Sequence, residues 1–404
     1  MKKKNFFAIM LTTVLAFGAL SALGGCGQTE QIPEGYTAEA ADGRMFEPAA
    51  NRMYNYCSSV IVDETLKNAD MWYCSNYSNG AEGDYIFYRT GLKVNGVWCW
   101  SSPTVALSHG AAGAWDSSGV CDPSVIKGEF SYQGEQYPYL MAYLGGDAAG
   151  NFGCAFGFAV AKEKAGPWVK VETEELCPVI DVYELYPDVE NHEAAHLWGT
   201  GQPCVMSVDK KGKILLFYTK HHPSGKWGQV VERWDLSNLD EPKQEYSYDI
   251  ANTGLKRHDG YTAEEAITNA DFMYDPVRQV MYVGTDMHPF GKLNNVDDDP
   301  YPDNIPRTAR VAFTDMSLET NELGDTFKAL QGGVVWTDLL KIDKEKTGYG
   351  RNSNMSFFRN EYGWMAQPDK LEIGYTTSKT SPWDDYALIY SWRIHRFEYS
   401  LIDR

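Results

Sequence analysis

Apolar residues in this chain fall in short runs separated by polar, turn-forming clusters, and the pattern is clearest at residues 121–145, CDPSVIKGEFSYQGEQYPYLMAYLG. Asp122 stands just before a short apolar run (Val125, Ile126), a polar glycine-containing turn follows, and an aromatic run (Tyr139, Leu140, Met141, Tyr143, Leu144) returns. Runs of this length bounded by turn residues predict a β-hairpin with an acid at its entrance. The plan recurs four more times. Cys57-Ser-Ser-Val-Ile leads to Met71-Trp-Tyr-Cys-Ser, and Gln202-Pro-Cys-Val-Met leads through Asp209-Lys-Lys-Gly to Ile214-Leu-Leu-Phe-Tyr. Asp271-Phe-Met-Tyr leads through Asp275-Pro to Val280-Met-Tyr-Val-Gly, and Asn354-Met-Ser-Phe-Phe leads through Asn360-Glu-Tyr-Gly to Trp364-Met-Ala.

A third apolar run follows each hairpin, near Tyr85, Phe156, Gln229, Arg310 and Tyr390, and a fourth follows in the first four copies. Repeats of this length with four strands each predict an all-β fold, a five-bladed β-propeller of four-stranded antiparallel blades. The last copy lacks a fourth run, so the stretch around Tyr36 to Phe46 is expected to supply it and close the ring. A sandwich or barrel of hairpins is the rival arrangement. No long amphipathic helix is visible beyond the N-terminal segment. In a propeller the first strand of each blade lines the axis, so Cys57, Asp122, Gln202, Asp271 and Asn354 should point into one shared channel.

Composition supports this picture: 26 Tyr, 17 Phe and 12 Trp favour strands, and hint at sugar-binding faces. A formal net charge of −19 argues against nucleic acid or an anionic membrane surface as partner, since both require a positive face. Lys2 to Lys4 followed by an apolar segment from Phe6 to Leu23 and then Leu23-Gly-Gly-Cys26 resembles a bacterial lipoprotein signal. The resemblance implies a signal peptide over 1–25, lipidation at Cys26 with a tether over 26–45, and a single propeller domain over 46–404 of an extracytoplasmic protein. The remaining seven cysteines, an odd number, have no close pair with zinc-site spacing; structural thiols with a disulfide or two are expected.

Asp-Pro-Ser-Val-Ile opening a hairpin, followed by an aromatic strand and Gly166-Pro-Trp, resembles the five-bladed propellers of family-43 glycoside hydrolases. That family places three carboxylates on the channel: an aspartate base, an aspartate that orients the acid, and a glutamate acid. Inversion needs one carboxylate to activate water and a protonated one to protonate the leaving oxygen. The resemblance puts Asp122 at the second-blade aspartate. Cys57 stands where the base would be, with Asp63 several residues on in the hairpin turn, and Gln202 stands beside the expected glutamate, with Glu193 upstream. The expectation is therefore catalysis by Asp122 and Asp271, with Glu193 or a histidine as proton donor, on arabinose- or xylose-containing glycans. A glycan-binding propeller without hydrolysis is the alternative, and for Asp122 a plain strand-entrance turn is another.

His192-Glu-Ala-Ala-His196, with Gly199 and Gln202 beyond it, matches the spacing of a zinc protease motif. That chemistry needs a helix, which Pro187, Gly199 and Gly201 oppose, and Gln202 is a poor zinc ligand. The segment reads instead as a channel-face loop on which His192, Glu193, His196 and Trp198 contact sugar, with a plain surface loop as the alternative. His288, Asp286, Arg351, Asn352 and Asn354 are further hydrogen-bonding candidates, and Trp98, Trp100 and Trp115 candidate stacking faces. The acidic run Asp297 to Asp303 lacks the alternation of a calcium loop. No metal site or cofactor is expected beyond an optional structural calcium in the channel, and the protein is expected to act as a monomer on an oligo- or polysaccharide.

Overall fold

Hairpin after hairpin follows the predicted order in the computed structural model, which describes residues 30–48, 53–76, 83–146, 154–179, 199–221, 227–256, 266–287, 308–315, 330, 335–378 and 391–402. The chain divides after Gln31, and the elements below belong to the second unit, Ile32–Arg404. The first sheet comprises β1 (Tyr36–Ala38), β2 (Asn55–Val62), β3 (Asn68–Asn76), β4 (Asp84–Val94), β5 (Val97–Ser101) and β6 (Thr104–Leu107). It runs β1-β5-β4-β3-β2, with β6 also pairing β4. The second holds β7 (Gly119–Tyr132), β8 (Glu135–Gly146), β9 (Ala155–Ala161) and β10 (Val169–Lys170), and the third β11 (Thr200–Ser207), β12 (Lys213–His221), β13 (Trp227–Asp235) and β14 (Lys243–Asp249). The fourth holds β15 (Asp271–Asp275), β16 (Val280–Met287), β17 (Thr308–Asp315) and β18 (Thr337–Ile342). After one helical turn, α1 (Lys344–Thr347), come β19 (Arg351–Arg359), β20 (Lys370–Ser378) and β21 (Arg393–Ser400), which form an antiparallel set joined to the first sheet by a short parallel ladder, Phe358 opposite Val60. The described chain is thus all-β and propeller-like.

Side chains that close the turns were legible in advance. The Asp63 carboxylate accepts hydrogen bonds from the Thr65 hydroxyl (2.8 Å) and the Lys67 and Asn68 amides (3.2 Å each), fixing the β2–β3 turn far from the axis. Asp209 and Asn360 serve two later turns in the same way, the local bonding that makes Asp and Asn turn residues. After Asn360 the chain departs from expectation. Trp364 begins no strand; its indole N–H donates to Ser207 O (2.9 Å) and it bridges Tyr274. The strand that pairs with β19 is β20, a few residues later.

Because side chains alternate across a strand, a sheet packed on both faces needs apolar residues at successive positions. On β8, Leu140 and Ala142 pack against the third sheet, with Val205, Leu216 and Val230. Met141 and Tyr143 pack against the first, with Ile61, Trp72 and Ile86. Other clusters lie between the third and fourth sheets, around Phe217 and Phe272, and between the fourth and fifth, around Tyr282 and Ile373. Another joins the fifth to the first, through Phe358 and Ile394 against Val60 and Trp98. Trp98 and Trp100, candidate sugar platforms from sequence, are fully buried in that last cluster and stack on each other at 5.8 Å.

The same seam carries charge. Glu372 on β20 accepts hydrogen bonds from Lys93 Nζ (2.6 Å) and Trp98 Nε1 (2.9 Å) of the first sheet. The N-terminal stretch reaches both sides of it. Tyr36 pairs with Ser101 on β5, while Met45 N–H donates to Ile394 O (3.0 Å) and Arg396 N–H to Gly43 O (2.8 Å) on β21. Expected on the last sheet alone, the stretch contributes to the first as well.

Candidate active site at the inner strands

Five pentads occupy equivalent places at the start of the innermost strands: Cys57-Ser-Ser-Val-Ile, Asp122-Pro-Ser-Val-Ile, Gln202-Pro-Cys-Val-Met, Asn269-Ala-Asp-Phe-Met and Asn354-Met-Ser-Phe-Phe. The first residue of each is left-handed, with φ of 45° at Cys57, 47° at Asp122 and 50° at Gln202, Asn269 and Asn354. Four of the ladders shift register at this point, between Tyr56 and Ser59, Cys121 and Ser124, Gly201 and Cys204, and Ser353 and Ser356. Such bulges re-aim a side chain, and here they turn the leading residues into one small pocket of about 40 Å³ that all five line. Asp and Asn tolerate the left-handed conformation best, whereas Cys57 and Gln202 hold it at a cost of roughly 1 kcal/mol or more each.

The leading residue of the fourth repeat is therefore Asn269. Asp271, expected in that role, lies two positions further on, where the other repeats carry Ser59, Ser124, Cys204 and Ser356. This third position is an inter-sheet clasp. Ser59 Oγ accepts from Val125 N–H (3.2 Å), Ser124 Oγ from Val205 N–H (3.0 Å), Cys204 Sγ from Phe272 N–H (3.4 Å) and Asp271 Oδ2 from Phe357 N–H (2.7 Å). Ser58 and Ser356 hydroxyls, 2.8 Å apart, link the fifth sheet to the first. Arg359 sits inside this ring, ion-paired with Asp271 at 3.2 Å and donating to Ser124 Oγ (3.0 Å), Cys204 Sγ (3.1 Å) and the carbonyls of Val205 and Phe272. Asp271 lines the pocket, but its carboxylate is committed to holding sheets together.

Asp122 is differently placed. It is buried among sulfur atoms: Cys74 Sγ approaches its carboxylate at 3.8 Å and receives its backbone N–H at 2.8 Å. The Cys57 and Cys121 thiols are also within hydrogen-bonding reach. Burial raises the Asp122 carboxyl, thiol hydrogen bonds oppose this, and the nearby Asp84 charge adds to the rise, leaving it at about 6. Asp84 accepts hydrogen bonds from the Tyr54 and Tyr56 hydroxyls, the latter at 2.6 Å, and burial raises it too. Trp392 meets Tyr56 edge-on at 5.0 Å, and the Arg351 guanidinium lies 4.7 Å over the Trp392 ring.

On the far side, Asp286 joins two repeats: its carboxylate accepts from Asn269 Nδ2 (3.0 Å) and from the Asn354 backbone N–H (3.0 Å). Gln202 Oε1 is buried and has no hydrogen-bond partner among the described residues. Trp115 does not line this pocket. It stacks on Tyr143 at 5.5 Å and covers Gly145 and Gly157, where any Cβ would strike its ring. Glu193, His192, His196, Trp198, His288 and Cys26 lie outside the described residues, as does the run from Asp297 to Asp303. The described cysteines are all free thiols.

Sequence reasoning missed the Asp84, Tyr54, Tyr56 and Trp392 group and the Cys57 and Cys74 thiols around Asp122, because other strands supply them; Cys121 is its neighbour in the chain. Asn269 was detectable: Asn-Ala-Asp-Phe-Met fits the same five-residue frame once the two apolar positions are used as the anchor.

No protein-family profile matches the chain, and no curated protein matches it. Solved structures do. A family 117 glycoside hydrolase from Zobellia galactanivorans is 12% identical, covering 90% of this chain and 89% of that one, with a TM-score of 0.48. An α-L-arabinofuranosidase from Podospora anserina is 11% identical, covering 89% and 95%, with a TM-score of 0.48. An N-acetylgalactosamine deacetylase from F. plautii, complexed with blood group B trisaccharide, is 13% identical, covering 91% and 96%, also at 0.48. At these values no residue role transfers from them.

Proposed function

We propose that the protein is a carbohydrate-active five-bladed propeller, closed where the first and last sheets meet, and a diverged glycoside hydrolase acting on arabinose- or xylose-containing glycans. In the same reading it is an extracytoplasmic monomer held to the membrane through lipid on Cys26. The observation that carries the catalytic part is Asp122: a carboxyl on a rigid left-handed bulge, in the axial pocket, raised to about 6. A group so tuned is protonated in mildly acidic solution and can give its proton to a departing glycosidic oxygen. The buried Gln202 carbonyl oxygen offers an acceptor for a sugar hydroxyl at the pocket.

Hydrolysis with inversion requires a second carboxylate. Asp271 is tied to Arg359 and Phe357, and Glu193, expected from sequence as a proton donor, is the remaining candidate for that second carboxylate. The test is release of aryl arabinoside and aryl xyloside chromophores by the purified chain. Asp122→Ala and Glu193→Gln are each expected to lose on the order of 100-fold or more in turnover; equal turnover by Asp122→Ala and the parent would overturn the assignment. The second reading, a glycan-binding propeller, is favoured by the non-ionising amides Gln202, Asn269 and Asn354 at three leading positions. Glycan binding without any turnover would select it.

A further inference from the structure

Cys57, Cys74 and Cys121 are far apart in sequence and meet around Asp122. The Cys74 and Cys121 sulfurs and an Asp122 carboxylate oxygen lie within 4.8 Å of one another, and the Cys57 thiol is in hydrogen-bonding reach of both Cys74 and Asp122. Tetrahedral zinc, with bonds of about 2.3 Å to sulfur and 2.0 Å to oxygen, would need its ligand atoms roughly 3.5–3.8 Å apart. A contraction of about 1 Å brings the Cys74, Cys121 and Asp122 donors there. We propose that Cys57, Cys74, Cys121 and Asp122 form a binding site for one thiophilic divalent ion of the zinc class. Three sulfurs and one carboxylate are a soft donor set, unlike the oxygen cage that calcium takes.

The supports of the site match what thiolate ligation needs. Cys57 and Asp122 are fixed by left-handed bulges of two neighbouring inner strands, while Cys74 comes from the middle of β3 and Cys121 from β7. The Asp122 backbone N–H points at Cys74 Sγ at 2.8 Å, and Tyr56 is within hydrogen-bonding reach of Cys121. The Asp122 N–H is an outer donor of the kind that orients and stabilises a metal-bound thiolate. Binding transfers no electrons. Each thiol that ligates loses its proton to solvent as a metal–sulfur bond forms, and Asp122 ligates as the carboxylate.

The test uses the full chain, reduced and kept free of oxygen, titrated with cobalt(II) as a coloured stand-in for zinc and dialysed against zinc for metal content. One equivalent per chain with a strong thiolate-to-cobalt absorption band is expected. Cys74→Ser and Cys121→Ser should abolish the band, and Asp122→Asn should weaken binding at least tenfold while leaving all three sulfurs. Cys177→Ser, outside the cluster, should change nothing, and circular dichroism checks that each variant is folded. Absence of the band in the parent, its persistence in a folded Cys74→Ser/Cys121→Ser double variant, or a metal-independent disulfide among the three would overturn the site. If one ion binds and no glycoside is hydrolysed under any condition, the hydrolase reading falls and the metal site stands.

Discussion

Asp122→Asn is expected to make the protein more stable at pH 8 and no more stable at pH 3. Burial and the Asp84 charge raise the Asp122 carboxyl from its ordinary 3.8 to about 6 in the folded state. The folded chain therefore holds this proton more tightly than the unfolded chain. Below 3.8 the group is protonated in both states and costs nothing. As pH rises through 3.8 and on to about 6, folding must increasingly work against ionisation of a buried carboxyl. Above 6 the penalty is fully developed. A hundredfold or so in proton affinity corresponds to on the order of 3 kcal/mol. Asparagine has the same shape, tolerates the left-handed conformation and already stands at the equivalent positions 269 and 354, so the substitution removes the charge with little else. Urea titrations at the two pH values measure the difference. An equal effect at both, or a loss of stability at pH 8, would refute the claim that Asp122 is buried at the expense of the fold, and with it the reason for its raised proton affinity.

Arg359→Met is expected to cost roughly 3–5 kcal/mol, because it strands the Asp271 carboxylate inside the ring; a further Asp271→Ser should recover part of that loss in the same denaturation assay, since serine is the clasp residue of three other repeats. Glu372 behaves oppositely to Asp122: burial works against its charge, but Lys93, Trp98 and Arg396 hold its carboxyl down to about 2. Its contribution is present above about 4.5 and is lost as pH falls through 2. Glu372→Gln should therefore cost on the order of 2–3 kcal/mol at pH 7 and little at pH 2, read by urea titration. Trp115→Ala should lower stability by about 3–5 kcal/mol and leave glycan affinity unchanged by calorimetry, because the indole covers Gly145 and Gly157 and lies outside the pocket.

How far the sequence could be followed differs from element to element. The hairpins were legible because a sheet packed on both faces writes successive apolar residues into its strands, as Leu140, Met141, Ala142 and Tyr143 show. Turns such as Asp209 to Gly212 were legible because their hydrogen bonds are local. Asp271 was misread for a definite reason: as an acid at the start of an apolar strand it satisfies the same description as Asp122, and only the backbone shows that the left-handed residue is Asn269. Trp364 was misread because the Asn360 side chain closes a turn that carries the tryptophan across to Ser207 before the next strand begins.

The sequence by itself determined the all-β character, the succession of the first four hairpins and the presence of an acid, Asp122, at one entrance, since these depend on near neighbours and on a pattern of burial repeated along the chain. Only the tertiary structure decided what surrounds that acid. Cys57, Cys74 and Asp84 reach it from three strands of the neighbouring sheet, and a carboxyl's proton affinity and the geometry of a ligand set are fixed by distances through space, on which spacing along the chain is silent.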